Sequence, residues 1–236
     1  FLFLASACVV SDDEAPMIPE PEPEPTSLRT GLIFHVPFSG NADDIAVNGL
    51  SGTVTGATIT TDRHGEANEA YRFDGVDDVI TYGNVTSLAF GGRSSYTMTA
   101  WVKLEDHGVP QRHYAISKFN GGVAAGWYLG VNAERKIQTY RNVVPWSTAG
   151  SPTVNWGEYT HIAATFDGSN LSVWKNGELD GTVVFGSHTN DTTTEILIGG
   201  VFSRNEVLPT LKGVIDDVRI YNRLLTPEEL TWLATH

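Results

Sequence analysis

From Leu28 onward, apolar residues recur at every second position, the period of a β-strand rather than the 3.6-residue period of an amphipathic helix. In the run from Tyr96 to Leu104, the residues Tyr96, Met98, Ala100, Val102 and Leu104 share one face, and Thr97, Thr99, Trp101 and Lys103 share the other. Ile162, Ala164 and Phe166 repeat the pattern, and Leu171 and Val173 continue it after Asp167-Gly168-Ser169-Asn170. That tetrapeptide and Asn176-Gly177 carry turn chemistry, so two consecutive hairpins are predicted. Further strands are predicted around 31–38, 52–59, 69–73, 78–82, 113–119, 126–131, 135–140, 178–185, 194–199 and 211–221. Many short strands, with most of the 24 glycines between them and no alternation with helices, predict two packed antiparallel sheets. One helix is predicted near the end, where Thr226-Pro227-Glu228-Glu229 supplies an N-cap, a proline at the first position and a glutamate at the third. It is expected to plug one edge of the sandwich.

The 236 residues are 41% hydrophobic and 18% charged, enough apolar content for one globular core. Acidic residues outnumber basic ones 28 to 15, a net charge of −13, which repels a phosphate backbone and argues against a nucleic-acid partner. The single cysteine excludes an internal disulfide and a cysteine-rich zinc site.

The charge is unevenly spread. Residues 1–27 hold six acids and no base, leaving 22 acids against 15 bases, or −7, for residues 28–236. Phe1-Leu2-Phe3-Leu4-Ala5-Ser6-Ala7-Cys8 is too short to span a bilayer, and it resembles the end of a bacterial lipoprotein signal with Cys8 as the lipidated residue. Ala5 departs from that pattern, which more often has leucine there; the plainer reading is an apolar terminus with an incidental cysteine. The Pro-Glu alternation from Pro16 to Pro25 reads as an extended spacer, because proline removes backbone donors and the glutamates repel one another. The expected organisation is a signal remnant at 1–8, a disordered tether at 9–27 and a folded domain at 28–236. A lipid-anchored monomer at the bacterial cell envelope, on the outer-membrane surface, is the expected setting.

Catalytic signatures are missing. No Glu-x-Asp-x-Glu run places acids on one strand face, and there is neither a Gly-x-Ser-x-Gly elbow nor a His-Glu-x-x-His pair. His161 opens a core-pattern strand and reads as structural. Alternation aligns Asp216 with Val214, Val218 and Ile220 on the core face, where an unpaired charge costs several kcal/mol. Either a cation or a set of backbone N–H groups must compensate it. The loop Asn41 to Gly49 gathers carboxylates, amides and carbonyls of the kind Ca²⁺ favours, while the same Asp44 and Asn48 also suit Asx turns.

Four segments in order, Phe38–Asp44, Tyr71–Ile80, Leu171–Leu179 and Ile215–Leu225, resemble the laminin-G-like, concanavalin A-like jelly-roll domains of bacterial secreted proteins. The resemblance implies an all-β sandwich of two antiparallel sheets and a structural Ca²⁺ on Asn41, Asp44 and Asp216. Ala46-Val47-Asn48 departs from that family's usual Ser-Gly-Asn and removes a hydroxyl contact. The fold hosts lectins, adhesion domains and glycosidases alike. The leading expectation is a non-catalytic, surface-anchored module for a polysaccharide or glycoprotein glycan. Rings suited to sugar CH faces are Trp127, Tyr128, Tyr140 and Trp146, with Arg112, His113 and Arg141 to read hydroxyls. For each ring except Trp146, core filling is at least as good a reading. A protein-binding or adhesion domain is the alternative, and a glycosidase or polysaccharide lyase a third.

Overall fold

In the strand Tyr96–Leu104 all five residues of the apolar face are fully buried, as their spacing predicts. Burying each of the larger ones stabilises the fold by about 1.5–3 kcal/mol. The chain is described by a computed structural model covering residues 22–121, 125–141, 147–148, 153–184, 193–204 and 206–236. Asp167 Oδ1 accepts the N–H groups of Ser169 (2.7 Å) and Asn170 (2.6 Å), closing the first predicted hairpin. Asn176 and Gly177 both take positive φ (49° and 81°), which closes the second with the backbone hand that suits twisted strands.

Among the described residues the strands form two antiparallel sheets of eight and nine strands, joined to each other by a continuous apolar core. The first runs Glu178–Val184, Asn170–Lys175, Tyr159–Phe166, Tyr96–Leu104, Lys212–Tyr221, Ala70–Asp74 and Thr58–Thr60, and Leu32–Val36 also pairs with Lys212–Tyr221. The second runs Ser147–Thr148, Ile137–Arg141, Ala125–Val131, His113–Asn120, Leu197–Ile198, Val79–Thr81 and Thr53–Thr55, with Gly200–Ser203 and Glu206–Pro209 attached. The predicted strand 52–59 is two short strands, because Gly56 turns at φ 72° and a Cβ there would meet Asp78 Oδ1 at 2.0 Å.

The helix Pro227–Leu233 forms with the predicted capping box. It lies on the outer face of the eight-stranded sheet, not at an edge as the sequence suggested. Leu230 and Leu233 pack there with Ala163 and Tyr221, and Trp101 Nε1 donates to Leu233 O at 3.1 Å. Leu28 is fully buried in the same cluster. Residues 24–27, placed in the tether by the sequence reading, touch the domain: Arg219 pairs with Glu24, and Arg223 Nη2 donates to Ser27 O at 2.7 Å. Among the described residues no helix is long and apolar enough to cross a membrane.

The last strand corrects one sequence expectation. Its register shifts between Asp216 and Arg219, and Asp217 sits at φ 46°, so the strand carries a bulge. Ile215, Val218 and Ile220 enter the core, while Asp216 turns to the outer face that also carries Trp101 and Arg63.

Candidate binding cleft

The hairpin turn between Ala125–Val131 and Ile137–Arg141 is built by Asn132. Its Oδ1 accepts N–H from Glu134 (3.0 Å) and Lys136 (2.9 Å), and its carbonyl accepts from Arg135 N. Arg135 is thereby held at φ 63°. Its carbonyl accepts from Val154 N at 2.8 Å, and Gly157 N donates to Leu104 O at 2.8 Å. These two bonds clamp Trp156 from both sides. The half-buried indole packs on the edge of the core, has the His113 ring 5.5 Å away and the Arg135 guanidinium 5.6 Å from its ring centre.

Around Trp156 lies a cleft of about 260 Å³, at the small end for a ligand site, walled by Asp106, Val109, Gln111, His113 and Arg135. Val109 is 63% exposed, an apolar wall open to solvent. Gln111 Nε2 donates to Thr210 O (3.1 Å) and lies 2.7 Å from His107 Nε2, while Asp106 Oδ1 accepts Gly108 N–H at 2.8 Å. Burial pushes the His113 imidazole down to about 4, with the nearby His107 adding to the effect, so it is neutral at physiological pH. The cleft therefore offers a flat apolar ring, charged and neutral donors, and a carboxylate acceptor. Asp106 is the one acid among the described residues lining it, so it lacks the paired carboxyl groups of ordinary glycosidases. A larger hollow of about 420 Å³ near Thr86–Ser95 is lined by small residues, Phe90 and Asn222, with no charged side chain among the described residues that line it.

Of the five predicted ligand residues, His113 lines this cleft. Trp127 does not: it is 2% exposed, a core residue whose Nε1 donates to Leu88 O at 2.7 Å, because its side of the strand faces the opposite sheet. Tyr140 is buried in a separate aromatic cluster, stacked on Tyr128 at 5.8 Å, and the Arg112 charge lies near Tyr128. Arg141 is also buried, 4.0 Å over the Phe166 ring and bonded to Phe90 O. Trp146 and Cys8 lie outside the described residues. Trp156, Arg135, Asp106 and Gln111 were not singled out in the sequence.

Each of the three expected calcium ligands has a hydrogen-bond or ion-pair partner of its own within the chain. Asn41 Oδ1 accepts Asp43 N–H, and Asp44 Oδ1 accepts from His35 N and Ala46 N, both as short-range backbone bonds. Asp44 Oδ2 is buried without a hydrogen-bond partner. Asp216 instead receives Arg63 Nη1 at 2.6 Å, and this guanidinium supplies the positive charge its burial requires. Asp217 joins His35 Nε2 (2.9 Å) and Arg219 Nε (2.8 Å). Asp74, Asp77 and Asp78 gather their carboxylates within 4.8 Å in the turn before Val79, where Asp78 Oδ2 accepts Asp74 N–H. His161 is buried, and burial pushes it down to about 3, consistent with a structural residue.

Two packed, largely antiparallel sheets closed by one short C-terminal helix make a jelly-roll architecture. The profile of the Concanavalin A-like lectin/glucanases superfamily matches residues 74–231, and the chain belongs to that family. Among solved structures, it resembles domain 4 of AbnA, a GH43 extracellular arabinanase from Geobacillus stearothermophilus in complex with arabinotriose. The identity is 21% and the TM-score 0.65, over 86% of this chain and 98% of that one. It also resembles the binding domain of Paraclostridial Mosquitocidal Protein 1, at 15% identity and TM-score 0.71 over 88% of this chain and 52% of that one. Trypanosoma rangeli sialidase in complex with 2,3-difluorosialic acid matches at 20% identity and TM-score 0.63, over 89% of this chain. This chain spans 33% of the sialidase chain. No curated protein sequence matches it.

Proposed function

We propose that this domain binds a carbohydrate in the Trp156 cleft and releases it unmodified. The observation that carries this reading is an indole, held by flanking backbone bonds, that lines a solvent-open cleft among hydrogen-bonding side chains. Sugars pair an apolar CH face with a ring of hydroxyls, and the cleft offers a partner for each. The arabinanase domain, which has the same fold and a similar size, is bound to arabinotriose, and this supports a saccharide ligand. With Asp106 as its one described acid, the cleft has no second carboxyl to act as nucleophile or base.

The test is a glycan array followed by titration of the full chain. Trp156→Ala is expected to weaken binding of the best array ligand about tenfold, since an aromatic contact contributes about 1–1.5 kcal/mol. Melting temperature is measured alongside to confirm folding. Binding that survives the substitution, or new reducing ends after incubation with the ligand, would overturn the reading.

A further inference from the structure

We propose that the Trp156 cleft takes a sugar bearing a carboxylate and that Arg135 receives it; this rests on the cleft being the glycan site. Arginine is a costly residue to place at this turn. A non-glycine residue at φ 63° carries strain on the order of 1 kcal/mol, and glycine would close the same turn without it. The side chain held there lies near the Trp156 ring and forms no hydrogen bond or ion pair with a described residue. A guanidinium packed on an indole keeps its in-plane N–H groups free, and their parallel spacing matches the two oxygens of a carboxylate.

The surroundings narrow the ligand further. In a chain of net charge −13, a cation in a cleft with no ion-pair partner among the described residues selects for a negative group. Asp106 stands in the same cleft, so a ligand carrying several sulfates would meet repulsion there. Asp106, Gln111 and neutral His113 suit hydroxyls instead. One carboxylate among hydroxyls is the chemistry of a uronic or sialic acid.

Calorimetry on the full chain compares oligogalacturonate and sialyllactose with their methyl esters, at low and high salt, with a sulfated galactan as a further arm. At least one acid is expected to bind about tenfold more tightly than its ester, with the preference shrinking at high salt. Arg135→Gln should abolish the preference. Arg135→Gly should do the same while leaving the melting temperature equal or higher, because it relieves the turn. Equal binding of acid and ester, an intact preference in Arg135→Gln, or binding of the sulfated galactan alone overturns the carboxylate assignment and leaves the cleft. If every probe fails, or if acid binding survives Trp156→Ala, the cleft reading falls and this proposal with it.

Discussion

Asp217 takes a left-handed backbone, and that one torsion places two carboxylates on the outer face of the last strand. Burial pushes Asp217 up, but the Arg219 guanidinium and the His35 hydrogen bond outweigh it and hold the group well below the carboxylate range. For Asp216 burial wins over Arg63 and pushes the carboxyl up to about 6. Its folded value exceeds its unfolded one, so its contribution favours the fold at low pH and is lost as pH rises through about 6. Arg63→Met removes the opposing cation, and an uncompensated buried charge costs about 3 kcal/mol or more. The loss should be largest above pH 6 and shrink near pH 4, where Asp216 is protonated; adding Asp216→Asn should recover most of it. Denaturant unfolding at the two pH values checks this, and an equal loss at both would count against it. The sequence shows that a buried Asp216 needs either a cation or a set of backbone N–H groups to compensate it. It did not show the source, because Arg63 lies 153 residues away and the bulge inverts the face that alternation assigns.

At the scale of elements, most strands were legible because local alternation and turn chemistry agree with the final packing. Tyr96–Leu104 and the Asn176-Gly177 hairpin follow directly from their spacing. The helix start was equally legible: Thr226 Oγ1 accepts Glu229 N–H, and the Glu229 carboxylate accepts Thr226 N–H at 2.9 Å. What local pattern could not supply was the partner surface, since the helix docks on a face built by residues from three distant segments. Glu229 also forms a bidentate pair with Arg223 at 2.7 and 2.8 Å, and this pair, assisted by the capping bond, pulls its carboxyl down to about 2. A lowered folded value gives stability that is fully present above about pH 4.5 and lost as pH falls toward 2. Glu229→Gln keeps the cap geometry but loses the charge, so it should cost about 1–2 kcal/mol at pH 7 and almost nothing near pH 2. Chemical denaturation of both proteins across that range measures the difference, and a gap that does not close on acidification would refute the ion-pair account.

The whole molecule decides what neither residue nor element can. The Trp156 cleft is assembled from the 106–113 segment, the 132–136 turn and the approach to Tyr159, and no window of sequence contains all three. An exposed ring and a core ring look alike in an alternating pattern, and so the sequence offers no ground for preferring Trp156 to Trp127. The left-handed turn at Asn132–Lys136 gave no warning either, because arginine stands there in a conformation that glycine prefers. Long-range assembly also sets where the folded unit begins. The Pro-Glu composition extends to Pro25, yet Leu28 is fully buried against Leu230 and Leu233, and Arg219 pairs with Glu24. Arg223 spends donors on Ser27 O and Thr30 O, tying the same segment to the entry of the helix. Deleting it removes a buried leucine, worth about 2–5 kcal/mol by analogy with core truncations, and takes from Arg219 and Arg223 the acceptors on Glu24, Ser27 and Thr30. A chain beginning at residue 31 should therefore melt well below one beginning at residue 22, and Leu28→Ala in the longer chain should reproduce a large part of the drop. Calorimetric melting of the three proteins tests this. Equal midpoints would show that residues 22–30 rest on the domain without stabilising it.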